Sequence, residues 1–239
     1  MSTEPESRAS LWSHTLWDWL HLLLVPVILI AGITWLSLEQ LWLVQQLAVQ
    51  QRNTSIQIVN AQQQSTLLTT YESRISDMIL HNGLRTAAPK SDANIVADTQ
   101  TADVLRQLDG DHKGQLLRFL YETRLINNDT HVIDLSEVDI HRAHIANLDL
   151  RDTYLFGADL RSSSMQGTNL GYATLSYVNL AGTNLTKADL HGSDMHNTIL
   201  TSTNLNGANL KDVTGLTNEQ ISTARSLIGT IMPDGSTHP

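Results

Sequence analysis

The chain has 239 residues, a formal net charge of -9 at pH 7 and no cysteine. With 15 Lys and Arg against 24 Asp and Glu, it lacks the basic surface of a general nucleic-acid-binding protein. The lack of cysteine excludes disulfide bonds, thiolate metal sites and a cysteine nucleophile. Only 5% of the residues are aromatic and all five Trp lie within the first 42 positions, so the remaining core must rely on Leu.

Residues 19–38 contain no charged side chain and are bounded by Asp18 and Glu39. A helix of this length spans roughly 30 Å, the hydrocarbon thickness of a bilayer. The acidic residues before the run and its length disfavour a cleaved signal peptide, and a buried soluble helix is the other alternative. Residues 1–18 are therefore predicted to be an N-terminal tail, and 19–38 a single-pass transmembrane helix in contact with the lipid bilayer. The Trp residues expected at the two membrane interfaces are Trp12, Trp17, Trp19, Trp35 and Trp42.

The sidedness of this span has a weak signal, because only Arg8 and Arg52 flank it. We expect the C-terminal part to be cytoplasmic, since no other feature indicates an exported domain.

Residues 39–86 are rich in Gln, lack Pro and are predicted to form a helical stalk. Leu68, Tyr71 and Ile75 follow helical spacing, so one face of the stalk requires a partner. That partner is either the next helices of the same chain or a second copy, which would make a homo-oligomer through the stalk.

Residues 87–130 are predicted to form a helical linker domain, beginning with a break at Pro89. Two short helices are expected near Ile95–Leu108 and Lys113–Ile126. Asp109 between them is expected to cap the second helix rather than to bind a metal ion with Asp111 and His112. These four helical segments give the chain its α N-terminal part.

The strongest pattern lies in the C-terminal half, where an apolar residue returns every five positions. A second series, two positions earlier, contains only Ala, Ser, Thr and Val after its first four members, and Asp or Asn often lies between the two series. The apolar series has 16 members and is the predicted structural core: Leu135, Ile140, Ile145, Leu150, Leu155, Leu160, Met165, Leu170, Leu175, Leu180, Leu185, Leu190, Met195, Leu200, Leu205 and Leu210.

A period of five fits neither a helix nor a flat strand, which repeat at 3.6 and 2 residues. A chain that turns about 90° every five residues keeps both series on one side, and four such units close a square of 20 residues. Sixteen units make four coils, which rise roughly 19 Å at the strand spacing of about 4.8 Å. Residues 131–212 are therefore predicted to form a mainly β repeat domain whose narrow axis accepts Leu and excludes Trp.

These units resemble the pentapeptide-repeat family and its A(D/N)Lxx motif, as in Ala158-Asp159-Leu160 and Ala208-Asn209-Leu210. The resemblance covers Ile133 to Asp212 and implies a right-handed quadrilateral β-helix. The chain is also similar to bacterial membrane-anchored members of the family, through the segments that begin at Leu105 and Leu116 ahead of the repeats.

Residues 213–239 are expected to cap the open end of the β-helix, because such an end exposes backbone and apolar axis. Thr217 with Gln220 predicts a capping box that opens a helix to about Ile228. Residues 232–239 are expected to be a loose tail.

The sequence carries no constellation of catalytic residues, no phosphate-binding Gly-rich loop and no expected cofactor. His141 with His144, and His191 with His196, each lack a third metal ligand of suitable spacing, so no metal site is expected. Some members of the family mimic DNA and bind a topoisomerase through an acidic surface. Residues 162–186 contain no charge, which argues against nucleic-acid mimicry along this rod.

Outward aromatic residues occupy the uncharged belt and the coil before it. Isolated surface aromatics are ordinary, but a cluster would favour docking of another protein. The candidate partner patch is Tyr154, Phe156, Tyr172 and Tyr177.

Together these features predict a membrane-anchored, non-enzymatic scaffold that presents a rigid β-helical rod to an unknown protein partner. The alternative is a membrane-tethered regulator or inhibitor of a partner enzyme.

Overall fold

The computed structural model describes residues 16–88 and 90–239, without the side chains of residues 16–22 and Thr130. The expectations for the tail before residue 16, for the interfacial side chains of Trp12, Trp17 and Trp19, and for Pro89 lie outside the described residues. The chain divides into two units, Met1–Asn60 and Ala61–Pro239.

Helix α1 spans Leu16–Leu80 and continues without interruption through the predicted boundary between span and stalk. Its first part is the one described helix long and apolar enough to cross a membrane, with a mean hydropathy of 1.8 and none of that window buried. The hydroxyl groups of Thr34 and Ser37 donate to the carbonyls of Ile30 and Ile33, at 2.9 and 2.7 Å. Polar groups in this stretch are therefore satisfied within the helix itself.

The last turns of α1 lie in the second unit and bury the predicted face at Leu68, Tyr71 and Ile75. The Tyr71 hydroxyl lies 2.6 Å from that of Thr101, and the Tyr71 ring meets Phe119 edge-on at 6.4 Å between centroids. The stretch thus packs against the next helices of the same chain, the first of the two partners considered above.

Helices α2, Asp92–Gln107, and α3, Gly110–Glu122, both begin three residues earlier than predicted. The physical reason is capping: the Ser91 side chain accepts from the amide of Asn94, and Asp109 accepts from the amide of His112. The capping role expected for Asp109 is confirmed. The stalk helix also ends earlier than residue 86, at Leu80, before Gly83 adopts a left-handed conformation.

The repeat domain is a stack of square coils with a parallel register of 20 residues. Twelve parallel bridges join residues 20 positions apart, from Asp139–Asp159 to Asp194–Thr214. Among the described residues the β structure consists of single bridges, these twelve and four others, because each side of a coil turns a corner after five residues. All sixteen residues of the apolar series are at most 2% exposed.

Side-chain hydrogen bonds hold the coils in shape at two recurring positions. Small inward hydroxyls donate to a carbonyl of the coil below, as Thr183 does to Leu160 at 2.7 Å. The Asp or Asn between the two series accepts from the amide two residues on, as Asp159 does from Arg161 at 3.1 Å. This local turn explains why Asp and Asn recur there, a preference that the sequence showed without its cause.

Every corner of the sixteen units places the second residue after the axial one at a positive φ, between 54° and 69°. Glycine adopts this conformation without steric cost, whereas other residues lose about 1–2 kcal/mol. Glycine occupies only five of the sixteen corners, and Tyr172 and Tyr177 occupy two of the others.

The first coil is covered by α3, which approaches its backbone through two glycines. A Cβ atom at Gly110 or Gly114 would overlap the carbonyl oxygens of Arg142 and His144. The amide of His144 donates to Gly110 at 2.8 Å, and the buried ammonium group of Lys113 donates to a carbonyl of the same coil. The close contact therefore requires residues without a side chain at both positions of α3.

At the other end, the predicted capping box of Thr217 and Gln220 is confirmed, but α4 spans only Asn218–Ser222 and does not reach Ile228. The chain instead rejoins the stack, since Ser226 and Ile231 pair in parallel with residues of the fourth coil. The side-chain amide of Gln220 also donates to the carbonyl of Thr198 in that coil, at 2.8 Å.

The expected loose tail is also wrong, because residues 229–238 form an antiparallel hairpin. The amide of His238 donates to Thr230 at 2.8 Å, and the amide of Gly229 donates to His238 at 3.0 Å. The Pro233-Asp234-Gly235 turn allows the reversal: Asp234 accepts from the amide of Ser236, and Gly235 has a φ of 83°.

Candidate interaction surface

The 20-residue register places residues 133–137, 153–157, 173–177 and 193–197 above one another on one side of the coil. We call this side the aromatic face. Its axial residues are buried, so the residues before and after each axial position form its outer surface.

An array of four rings crosses this face. His131 stacks on Tyr154 with 4.1 Å between centroids and an interplanar angle of 9°. Tyr154 and Phe156 are 6.1 Å apart, and Phe156 and Tyr177 are 5.2 Å apart. The structure thus joins three of the four aromatic residues proposed from the sequence and adds His131. The periodic pattern could not reveal His131, because it lies before the first unit.

Tyr172 is placed differently. Its ring meets His191 edge-on at 5.3 Å and lies where a Cβ at Gly192 would approach within 2.6 Å. Tyr172 and Tyr177 are each 56% exposed and each occupy a left-handed corner, with φ values of 58° and 61°. They form a matched pair in which one ring belongs to the array and the other does not.

The aromatic face departs from the structural rules of the repeat. Tyr154 stands where eleven of the sixteen units carry an Asp or Asn, and Tyr177 holds a bulky ring at positive φ. Each departure loses a stabilising local interaction or adds backbone strain. Packing of the shaft requires neither residue, since both rings lie outside the axis.

The charge of the aromatic face is also distinct. It carries three carboxylates, Asp134, Glu137 and Asp194, and no Lys or Arg. All five basic residues of the repeats lie on the other three sides: Arg142, Arg151, Arg161, Lys187 and Lys211.

The other sides neutralise carboxylates within the repeat. Arg151 binds Asp149 at 2.8 Å and Arg161 binds Asp159 at 2.6 Å. Hydrogen bonds from these guanidinium groups lower the pKa of both carboxyl groups. In the described part of the chain, neither Asp134 nor Glu137 forms an ion pair.

A further carboxylate lies beside Asp134. Asp98 accepts from the amide of Asp134 at 2.8 Å, and its pKa is raised, chiefly by burial, with a contribution from the charge of Asp134. Two carboxyl groups, Asp98 and Asp134, therefore lie together at the end of the aromatic face near the first coil, beside His131.

The histidines considered for metal binding each pair with one carboxylate. His141 binds Asp139, His144 binds Asp111 at 2.8 Å, and His196 binds Asp194 at 2.5 Å. His191 lies 3.7 Å from Asp212. No group of three or more His, Cys, Asp or Glu suited to a metal ion occurs within residues 16–88 and 90–239.

The square coils and their register define a quadrilateral β-helix. The family pattern described as pentapeptide repeats matches residues 133–171, 163–201 and 173–212, in eight copies. Residues 133–212 are therefore a pentapeptide-repeat domain. Proteins of this family generally bind other proteins and are typically non-catalytic.

Several solved structures are similar to the chain. HetL, described as involved in heterocyst differentiation regulation in the cyanobacterium Nostoc, is 32% identical over 44% of this chain and 52% of its own, with a TM-score of 0.33. A pentapeptide repeat protein from the thylakoid lumen of Arabidopsis thaliana is 27% identical over 41% and 61%, with a TM-score of 0.28.

Rfr23 from the cyanobacterium Cyanothece is 31% identical over 34% of this chain and 59% of its own, with a TM-score of 0.26. The chain thus spans between half and two thirds of the length of these proteins. A comparison with curated proteins gave no match.

Proposed function

We propose that the protein is a single-pass membrane scaffold that holds a rigid β-helix beside a bilayer and binds a protein partner through the aromatic face, without catalysis. The observation that carries this proposal is the contiguous array of rings at Tyr154, Phe156 and Tyr177, in which Tyr177 is exposed and the other two are half-buried. Aromatic side chains contribute large contact areas at the centres of protein interfaces.

The anchor is assigned to residues 19–38 of α1. Every side chain from Leu23 to Asn60 is exposed, so the apolar surface of residues 23–60 is not covered within the part of the chain that the structure describes. A buried helix of a soluble protein would hide one face, and a bilayer satisfies an apolar surface on all sides.

The repeat domain is assigned to the cytoplasmic side of a bacterial membrane, with residues 39–60 of the stalk available for self-association. The large apolar side chains of this segment are exposed, among them Ile56, Ile58 and Val59, at 49%, 64% and 63%. A second copy packed along the stalk would cover them.

The shape of the β-helix gives no support to a catalytic function. Its axis is filled by the sixteen packed side chains, which leave no room there for a substrate. Enzyme sites need a concave pocket with convergent polar groups.

The test combines membrane pelleting with gentle detergent extraction and cross-linking mass spectrometry. We expect the full chain to pellet with membranes and to cross-link to a defined protein through the repeat domain. Two matched variants test which part of α1 is the anchor. Leu29→Arg, in the predicted span, should release the chain from membranes, and Gln57→Arg, in the stalk, should not. A wild-type chain that stays in the supernatant would overturn the anchor, and a chain that cross-links to no protein would overturn the scaffold.

A further inference from the structure

The aromatic face combines two features that each favour a positively charged ligand. Ring faces attract cations through their negative quadrupole, and nearby carboxylates add direct charge attraction. Of the three carboxylates of this face, Asp194 pairs with His196, whereas Asp134 and Glu137 form no ion pair in the described part of the chain. The carboxylates Asp149 and Asp159 on other sides are neutralised by arginine.

We propose that the partner docks on the aromatic face through an extended segment bearing Arg or Lys side chains. The cations contact the rings of Tyr177 and Phe156, and that of Tyr154 on the side away from His131, and lie beside Glu137 and Asp134. This inference rests on the proposed scaffold function and specifies the chemistry of the segment that the face recognises.

The spacing of the rings fits such a segment. Their centroids are separated by 5.2 and 6.1 Å along the face. Alternate side chains of an extended peptide are about 7 Å apart on one side, so successive cations can reach successive rings.

The corner below Tyr177 leaves room for the ligand. Gly157 has no side chain, and a Cβ there would lie 3.7 Å from the Cγ atom of Glu137. The Glu137 side chain is therefore separated from Tyr177 by a position without a side chain, where a guanidinium or ammonium group can contact both.

Carboxylates alone do not distinguish the aromatic face from the other sides of the repeat, because another side carries them too. Asp152 and Asp212 occupy left-handed corners as Glu137 does, but the ring next to them, Tyr172, packs against His191 and stands apart from the array. In the described repeat, the aromatic face combines the ring array with two carboxylates that form no ion pair, Asp134 and Glu137.

The experiment measures binding of labelled peptides to the full chain in nanodiscs of uncharged phosphatidylcholine, by fluorescence anisotropy. The probe is an alternating Arg-Gly peptide with four arginines, and its control replaces each Arg by citrulline, which keeps the shape and removes the charge. We expect the Arg peptide to bind at least tenfold more tightly, and the difference to shrink as salt is added.

Matched corner variants then locate the site. Tyr177→Gly and Tyr172→Gly each remove the backbone strain of a tyrosine at positive φ, and the two tyrosines are equally exposed. Circular dichroism should therefore show that both variants remain folded. We expect Tyr177→Gly to weaken binding of the Arg peptide roughly fivefold, and Tyr172→Gly to leave it unchanged. Glu137→Gln should weaken binding, and Asp152→Asn should not.

Equal binding of the Arg and citrulline peptides, equal effects of the two tyrosine variants, or no binding would each overturn the inference. These results are distinguishable from failure of the scaffold function. A protein partner cross-linked at Phe156 would preserve the scaffold even if the Arg peptide failed to bind. Peptide binding without any partner in membranes would preserve the cationic site and reject the scaffold.

Discussion

The first part of α1 and the repeat domain are both rich in Leu, but the Leu side chains are exposed in the first and buried in the second. In residues 23–60 every side chain is exposed, including Leu29 at 60%, whereas Leu180 and its equivalents in the repeats are fully buried. The difference lies in the period. A run that is apolar on all sides of a helix needs an apolar surrounding, and a period of five turns every Leu towards one axis. Composition alone therefore cannot separate a membrane-facing segment from a packed core.

The largest expected effect separates these two uses of Leu. Leu180→Ala opens a cavity in the shaft and should lower the free energy of unfolding by about 2–5 kcal/mol. Leu29→Ala removes an exposed side chain and should leave the unfolding of the repeat domain unchanged. Urea denaturation followed by circular dichroism checks both. Equal destabilisation by the two variants would contradict the burial difference.

The next effect concerns the helical cover of the first coil. Gly114→Ala places a Cβ against the carbonyl oxygen of His144 and should destabilise the domain by about 1–3 kcal/mol. Its neighbour Gln115 is exposed, so Gln115→Ala is the matched control. Hydrogen exchange should show the loss of protection in the first coil. A Gly114→Ala domain as stable as the control would mean that α3 does not pack there.

A smaller effect tests the hydrogen bonds between coils. Thr183 donates to Leu160, whereas the buried hydroxyl of Ser193 has no partner among the described residues. Thr183→Val should therefore cost about 1 kcal/mol of unfolding free energy, and Ser193→Ala should cost nothing. Thermal unfolding at fixed pH measures the difference. A loss of stability in Ser193→Ala equal to that in Thr183→Val would contradict this assignment.

The smallest effect tests the strained corners. Lys187 holds a φ of 59°, so Lys187→Gly should stabilise the domain by about 0.5 kcal/mol after the extra chain entropy of glycine is counted. Lys211 lies outside the left-handed positions, and Lys211→Gly should destabilise by a similar amount. Effects of the same sign in urea denaturation would show that corner strain is negligible.

The repeat architecture could be predicted from the sequence because it depends on one uninterrupted period. The square coil, the register and the axis follow from the spacing of residues such as Leu155 and Leu175. The cap of α3 at Asp109 and the capping box at Thr217 were also predictable, because they depend on neighbours in sequence.

The remainder depends on tertiary contacts. His131 joins the aromatic array from outside the period, and the return of Ile231 to the stack follows an insertion that shifts the register by two residues. The hairpin of residues 229–238 has a local signal in the Pro233-Asp234-Gly235 turn, but a turn by itself does not show that the segments on its two sides pair. Tyr172 and Tyr177 also differ through residues on neighbouring coils, since Tyr172 packs against His191 and Tyr177 against Phe156.

Site-specific photo-cross-linking in intact membranes tests the central claim, that one side of a membrane-held β-helix binds the partner. A benzophenone amino acid is placed at Phe156, and a matched one at Gln166, which holds the same position in the next unit but one and so lies on the opposite side. We predict that the Phe156 probe captures one defined membrane-associated partner and that the Gln166 probe does not. Equal capture by both probes, or by neither, would contradict the account.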